Sequence, residues 1–137
     1  MSPQGLSLTL HSDGGSRGNP GPAGAGAVLY DDQGQEVAAL SRYLGRTTNN
    51  EAEYQALLLG LNEAKRLGAA RLTVKMDSEL IVRQLEGKYR VKAPGLKPMY
   101  DQAKRLLQGF ASVTILHVRR EFNKRADELA NQAMDQH

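Results

Sequence analysis

The sequence contains no cysteine among its 137 residues. This absence excludes disulfide bridges, thiolate metal sites and cysteine nucleophiles, and it is typical of a reducing compartment, so we expect a cytoplasmic location. Any metal ligand must therefore be an oxygen or nitrogen atom. A chain of this length can bury a hydrophobic core without covalent or metal cross-links, and we expect one domain that spans residues 1–137.

Long apolar segments are also missing. The opening sequence MSPQGLSLTLHSD has neither a basic segment nor an extended apolar segment, so it does not resemble a secretion signal. No other stretch approaches the ~20 apolar residues of a transmembrane helix. These absences predict a soluble, unprocessed protein that does not interact with a membrane.

The charge balance leaves only a small positive excess. Eighteen Lys and Arg residues against fifteen Asp and Glu residues give a formal net charge of +3. Such an excess fits a polyanionic partner and is equally common in proteins without one. Two groups of basic residues are compatible with either a phosphate track or a solvated face: Lys88, Arg90, Lys92 and Lys97, and Arg119, Arg120, Lys124 and Arg125.

Hydrophobic periodicity predicts five strands and four helices. Residues 6–13 alternate apolar and polar side chains, and from Asn49 the period becomes that of a helix, which Gly68 ends. The glycine-rich segment 14–24 is predicted as a turn throughout. The predicted strands are 6–13, 25–30, 36–44, 71–77 and 113–119, and the predicted helices are 49–67, 78–87, 95–109 and 123–136, the last with Asn123 as its N-cap.

This order of elements predicts an α/β fold of the mixed α+β kind. The first three strands form an antiparallel meander in a five-stranded mixed sheet, and the helices cover both faces. Right-handed crossovers would make the first, fourth and fifth strands parallel, so their carboxyl ends lie at one edge of the sheet. Open α/β sheets normally hold their ligand at that edge.

Two glutamates near the start of the first predicted helix face in opposite directions. On a helical wheel Glu53 lies within the apolar stripe, whereas Glu51 lies on the polar face, three residues after Thr48, as in a capping box. A carboxylate on the buried side of a helix needs a partner, because an unpaired buried charge is costly. That partner is either a basic side chain or a metal ion shared with other acids.

Two aspartates are placed to share such a metal ion. Asp13 ends the first predicted strand and Asp77 ends the fourth, so parallel neighbouring strands would put them side by side. Together with Glu53 they would repel one another unless protonated or bound to cations, and oxygen ligands of this kind select Mg²⁺ or Mn²⁺. Asp127, in the first turns of the last helix, is either a fourth ligand or an acid favoured by the helix dipole.

Four separated segments resemble the type 1 ribonuclease H family, in that family's order and spacing: DGGSRGNPGPAG, TTNNEAE, MDSELIV and NKRADELANQA. The resemblance covers nearly the whole chain and implies a ribonuclease H-like fold. It also implies hydrolysis of the RNA strand of RNA/DNA hybrids with two Mg²⁺ ions, or Mn²⁺ as a substitute, leaving 5′-phosphate and 3′-hydroxyl ends. The glycine-rich segment lacks GxxxxGK[ST], so it is not a phosphate-binding P-loop.

The resemblance also assigns roles to individual residues. Asp13, Glu53, Asp77 and Asp127 match the family's catalytic, metal-binding acids. Asn19, Asn49 and Asn50 match residues that read the minor groove of the hybrid, where 2′-hydroxyl groups distinguish the RNA strand. Arg46 and Thr48 match a phosphate pocket for the DNA strand. Turn formation and helix capping are alternative roles for these substrate-binding residues.

The chain departs from the family pattern in three places. Residues 88–98 are too short for the basic handle of many members, so we expect a weaker electrostatic grip and strongly salt-dependent activity. His117 lies inside the predicted fifth strand, where we expect a buried structural residue, and Arg120 is expected to contact phosphate or product in place of the family's loop histidine. Glu79 stands where many relatives have glutamine, and its role stays open.

Two alternative functions remain at this point. One is a nucleic-acid-binding module of the same fold without catalysis, against which the complete set of four acids argues. The other is a related metal nuclease that acts on other RNA or DNA, against which the asparagine set argues by family analogy alone. We expect a monomer whose partner is an RNA/DNA hybrid.

Overall fold

The computed structural model describes residues 5–137; residues 1–4, at the start of the predicted domain and of the segment tested for a secretion signal, lie outside the described residues. Within this range the strands are β1 (Leu6–Ser16), β2 (Gly21–Tyr30), β3 (Glu36–Thr47), β4 (Ala69–Met76) and β5 (Ser112–His117). The helices are α1 (Asn49–Arg66), α2 (Glu79–Leu85), α3 (Lys97–Gln108) and α4 (Lys124–Asp135), with a 3-10 turn at Arg120–Phe122. Among these helices, none has the length and apolar character needed to cross a membrane.

The strands form one sheet in the order β3-β2-β1-β4-β5. β1 pairs with β2, and β2 with β3, in antiparallel register, whereas β1 with β4 and β4 with β5 are parallel. The predicted meander and the predicted parallel strands are therefore both confirmed. The carboxyl ends of β1, β4 and β5 consequently lie at the same edge of the sheet.

The two faces of the sheet are packed differently. On the face covered by α1, the core contains large, fully buried side chains that include Leu10, Leu57 and Val74. On the face covered by α4, a Cβ atom on Gly26 of β2 would lie 2.2 Å from the carbonyl oxygen of Ala126. The backbone of α4 therefore rests almost directly on β2, and glycine is required there because any side chain would collide with the helix.

The glycine-rich segment is more regular than its composition predicts. The prediction of a turn throughout 14–24 is wrong, because β1 continues to Ser16, β2 begins at Gly21, and only four residues connect them. Gly14 pairs with Ala25, and a Cβ on Gly14 would lie 2.1 Å from the carbonyl oxygen of Ala52 in α1. Gly14 and Gly24 are therefore strand residues that admit neighbouring helices, and tertiary packing overrides their low strand propensity.

His117 also differs from its prediction. It is the last residue of β5, but its side chain is exposed rather than buried. β5 is an edge strand, and the side chains that it packs against the core are those of Val113 and Ile115. The prediction of a buried residue at this position is therefore wrong.

Candidate active site

Three elements bring three carboxylates together at the predicted edge of the sheet. Asp13 lies near the end of β1, Asp77 directly follows β4, and Glu53 projects from the start of α1. One oxygen atom of each carboxylate lies within 4.8 Å of the oxygens of the other two. The parallel pairing of β1 with β4 places the two aspartates side by side, and α1 adds the glutamate from one face of the sheet.

The close approach of α1 to β1 fixes the position of Glu53. The backbone N–H of Gly14 donates a hydrogen bond to Oε1 of Glu53 at 2.7 Å. A side chain at Gly14 would collide with the backbone of α1, as the 2.1 Å distance to Ala52 shows. The glycine that follows Asp13 therefore both admits the helix and holds its carboxylate beside the strand.

Asp127 reaches the same cleft from the opposite face of the sheet. It lies in the first turn of α4, is partly buried and hydrogen-bonds the carboxyl group of Asp13. Among residues 5–137, the group whose ligand oxygens lie within 4.8 Å of one another contains the other three acids and not Asp127. The fourth acid is thus adjacent to the cluster without being part of its tightest group.

The acids raise one another's pKa values. Burial, with additional repulsion from Glu53, Asp77 and Asp127, raises the pKa of Asp13 to about 9. Burial raises the pKa of Glu53 to about 8, although the Gly14 N–H and the charge of Arg120 oppose the shift. Burial also raises the pKa of Asp77. Such crowded oxygens are relieved by protons or by a hard divalent cation, so the donor set fits Mg²⁺ or Mn²⁺.

Arg120, which is predicted to contact phosphate or product, lies at the acidic cleft. It begins the 3-10 turn between β5 and α4, its side chain is exposed, and it lines the cleft of about 490 Å³ that contains the four acids. Burial raises the pKa of Glu53 and of Asp77, and the positive charge of Arg120 partly opposes both shifts. An arginine in this position is available to a phosphate group that enters the cleft.

The predicted asparagines connect the hairpin between β1 and β2 to the start of α1. The side-chain oxygen of Asn49 accepts hydrogen bonds from the backbone N–H of Ser16 at 2.9 Å and from its hydroxyl at 3.1 Å. The backbone N–H of Asn49 donates to Oδ1 of Asn19 at 3.0 Å. Asn49 and Asn50 line the acidic cleft. With their oxygens engaged, Asn19 and Asn49 can offer their NH₂ groups to a ligand.

The predicted capping box is confirmed. Thr48 is the N-cap of α1, and its hydroxyl accepts a hydrogen bond from the backbone N–H of Glu51 at 3.2 Å. The Glu51 carboxylate in turn accepts hydrogen bonds from the Thr47 hydroxyl and from the backbone of Thr48, which lower its pKa against the effect of burial. Arg46 lies near the end of β3 with an exposed side chain, and it is not among the residues that line the acidic cleft.

Comparisons with known proteins agree with this geometry. A family model described as Reverse transcriptase-like matches residues 11–133. The bifunctional protein Rv2228c of Mycobacterium tuberculosis is 47% identical over 131 residues, which cover 95% of this chain and 36% of that protein. The crystal structure of RNase H1 from Halobacterium salinarum NRC-1 has a TM-score of 0.93 at 42% identity, covering 96% of this chain and 99% of that chain. The chain belongs to the ribonuclease H family.

A further ribonuclease H structure adds a ligand to the comparison. The crystal structure of LC11-RNase H1 in complex with an RNA/DNA hybrid has a TM-score of 0.89 at 42% identity, covering 94% of this chain and 97% of that one. The present chain spans about a third of the length of the mycobacterial relative, at 36%. The likeness to the two solved structures, in contrast, extends over nearly their whole length.

Two positions of this ribonuclease H family member differ from the pattern that its sequence resembles. Between α2 and α3, residues 86–96 contain no helix, so the described chain has no helical handle there. Glu79 is the first residue of α2, is exposed and forms an ion pair with Arg83 at 3.5 Å. Glu79 is not among the residues that line the acidic cleft.

Asn123 has a different role from the helix cap that the sequence predicts. It occupies the N-cap position of α4, yet its side chain makes no capping hydrogen bond and is only 1% exposed. The side chain instead turns into the sheet and donates from Nδ2 to the carbonyl oxygen of Ser12 at 3.0 Å. The available signal was its spacing of four residues before Asp127, which local capping rules explain just as well. Arg17 and Asn131 also line the cleft and were not predicted.

Proposed function

We propose that this chain is an endonuclease that hydrolyses the RNA strand of RNA/DNA hybrids and leaves 5′-phosphate and 3′-hydroxyl ends. The observation that carries the proposal is the cluster of Asp13, Glu53 and Asp77, with ligand oxygens within 4.8 Å, at the carboxyl edge of a ribonuclease H sheet. Shared carboxylates at this spacing suit two-metal hydrolysis of phosphodiesters.

Asp13, Glu53, Asp77 and Asp127 would hold the divalent cations, with Mg²⁺ as the expected ion and Mn²⁺ as a substitute. Two such ions, if held by these acids, would supply activation of the attacking water and stabilisation of the leaving 3′ oxygen. Glu53 is kept at the strand end by the Gly14 N–H, so its carboxylate is oriented before substrate arrives. Arg120 supplies a positive charge at the same cleft for the phosphate of substrate or product.

The rim of the cleft would select the hybrid. The NH₂ groups of Asn19, Asn49 and Asn50 would contact the minor groove, where 2′-hydroxyl groups mark the RNA strand. Arg46 and Thr48 would bind a phosphate of the DNA strand. One support is the hydrogen bond between Asn49 and Asn19, which holds the hairpin beside the start of α1. The other is LC11-RNase H1, a relative at 42% identity whose structure contains an RNA/DNA hybrid.

The alternative of a binding module without catalysis is less well supported. Clustered carboxylates repel nucleic-acid phosphates unless protons or cations neutralise them, and a protein that only binds nucleic acid would gain nothing from such a cluster. We also propose that the protein is a monomer and acts in the cytoplasm. The absence of cysteine agrees with a reducing compartment. Gel filtration with and without hybrid tests the monomer.

The decisive experiment follows labelled strands of four matched substrates: an RNA/DNA hybrid, duplex DNA, duplex RNA and single-stranded RNA. We expect cleavage of the RNA strand of the hybrid with Mg²⁺ or Mn²⁺ and no cleavage with chelator. A ligase should join the products without prior phosphorylation, because they carry 5′-phosphate and 3′-hydroxyl ends. Equal cleavage of duplex DNA or duplex RNA would favour a different metal nuclease. Hybrid binding without cleavage in any metal would favour the binding module.

A further inference from the structure

Asn123 links the three acid-bearing elements other than α1. Its Nδ2 donates to the carbonyl oxygen of Ser12, the residue before Asp13, at 3.0 Å. Burial raises the pKa of Asp77, and a hydrogen bond from the Asn123 side chain to that carboxylate opposes the shift. The backbone carbonyl of Asn123 accepts the N–H of Asp127 at 3.1 Å. One buried residue therefore touches the strand end, the second aspartate and the helix of the fourth acid.

The partners of Asn123 determine which way its amide faces. The Ser12 carbonyl can only accept a hydrogen bond, so the NH₂ group of Asn123 must face it. The side-chain oxygen then faces Nδ1 of His11, at 3.2 Å. Because that oxygen can only accept, His11 must carry a proton on Nδ1. The tautomer of the histidine thus follows from the Ser12 carbonyl, which cannot donate.

The surroundings of His11 keep the ring in this position. His11 lies on β1 two residues before Asp13 and is partly buried. Its ring meets the ring of Tyr30 edge-on, with the centroids 5.4 Å apart and the planes at 84°. Burial lowers the pKa of His11, although the hydrogen bond with Asn123 opposes this, and the charge of Lys75 lowers it further.

We propose that His11 and Asn123 form a positioning pair for the acidic cleft. The Nδ1–H of His11 orients the Asn123 amide, and the amide holds the Asp77 carboxylate where it can ligate a divalent cation. Without the histidine donor, the buried oxygen of Asn123 loses its hydrogen-bond partner, and the amide is held less tightly beside Asp77. The proposal rests on the proposed function only in that the same acids bind metal.

The test compares two substitutions of His11 by direct metal titration. His11→Leu removes the donor, whereas His11→Asn keeps a donor where Nδ1 was. We expect calorimetry to show Mn²⁺ and Mg²⁺ binding about 10-fold more weakly in His11→Leu, since residues that orient metal ligands typically contribute 10–100-fold. His11→Asn should restore most of the affinity. Thr9→Val, two residues earlier on the same face of β1, is the matched control and should bind metal like the wild type.

Nuclear magnetic resonance provides a second readout that does not depend on metal. In the metal-free protein at about pH 8, the ¹⁵N signals of His11 should show a protonated Nδ1 and an unprotonated Nε2. The opposite tautomer would overturn the proposal. So would unchanged metal affinity in His11→Leu, even if its melting temperature falls, because a purely structural histidine would behave in that way. Failure of His11→Asn to recover any affinity would also reject the donor role.

The outcome can be separated from that of the proposed function. Normal metal binding that is insensitive to His11 removes the positioning pair and leaves the nuclease intact. Metal binding that depends on His11, in a protein that cuts no hybrid, keeps the pair and removes the nuclease. A wild-type protein that binds no divalent cation would overturn both. Where hybrid is cut, His11→Leu should raise the Mg²⁺ concentration for half-maximal rate more than it lowers the rate at saturating Mg²⁺.

Discussion

The two faces of the sheet bring acids to one cleft by different means. The α1 face is held by large buried side chains such as Leu10 and Leu57, with one close backbone approach at Gly14. The α4 face has a small cluster around Val28, and its helix rests on the glycines of β2. Burial of large apolar surface is the main stabilising term in folding, so the α1 face carries more of the stability.

This difference predicts unequal roles for the acids that the two helices supply. Glu53 of α1 belongs to the group whose oxygens lie within 4.8 Å, and Asp127 of α4 does not. The α1 face therefore fixes the centre of the site, whereas α4 completes it from a less heavily packed position. Matched substitutions on the two faces test this difference between the acids.

The largest expected effect is on catalysis. Asp13→Asn should reduce cleavage of the hybrid by more than about 100-fold, because loss of a ligand should exceed the 10–100-fold cost of losing a residue that merely orients one. Asp127→Asn should retain more activity than Asp13→Asn and than Glu53→Gln, which changes the acid supplied by α1. Single-turnover rates at saturating Mg²⁺ measure all three variants, with circular dichroism to verify folding. Equal losses in Glu53→Gln and Asp127→Asn would mean that the two faces contribute equally to the metal site.

The same truncation on each face tests where stability resides. Leu57→Ala should cost about 4 kcal/mol and Leu129→Ala about 2 kcal/mol of unfolding free energy, within the ~2–5 kcal/mol range of such changes. Leu57 is fully buried in the large core, whereas Leu129 belongs to the small cluster under α4 and is 4% exposed. Denaturant unfolding measures both values. A larger loss for Leu129→Ala would reverse the proposed division between the faces.

The order of elements and the position of the acids followed from the sequence because both depend on regular features. Alternation and helical period identified the strands and helices, and crossover handedness placed the ends of β1 and β4 together. The strand character of the glycine-rich segment could not be predicted, because Gly14 and Gly26 serve helices that lie far away in the chain. The inward orientation of the Asn123 side chain could not be predicted either, because its partners belong to β1 and to the residue after β4.

A pH titration tests the crowding of Asp13 and Glu53 in the metal-free protein. Burial, with the charges of its neighbours, raises the pKa of Asp13 to about 9, and burial raises that of Glu53 to about 8. In the unfolded chain both carboxyls titrate near pH 4, so the folded, metal-free protein holds these protons more tightly. This contribution to stability is complete below about pH 4 and is lost as the pH rises through 8 to 9.

We therefore expect the melting temperature in chelator to fall as the pH rises towards 9. The fall should be smaller than the effect of Leu57→Ala, because water in the open cleft screens the carboxylates. Asp13→Asn should flatten the profile, and saturating Mg²⁺ should do the same for the wild type. A wild-type profile in chelator that is already flat would show that the acids do not strain the metal-free fold.

The smallest expected effect concerns the surface attachment of α4. Arg17, at the hairpin between β1 and β2, pairs with Asp135 at 2.6 Å near the end of the helix, and both side chains are about half exposed or more, at 49% and 65%. Exposed pairs contribute about 0.2–1 kcal/mol and are screened by salt, so Asp135→Asn should cost about 0.5 kcal/mol at low salt and almost nothing in 1 M NaCl. Denaturant unfolding at the two salt concentrations checks this. A loss of unfolding free energy comparable to that of Leu129→Ala would mean that charges hold α4 as strongly as its apolar contacts do. The small apolar cluster and the glycine contacts would then contribute no more than one surface ion pair.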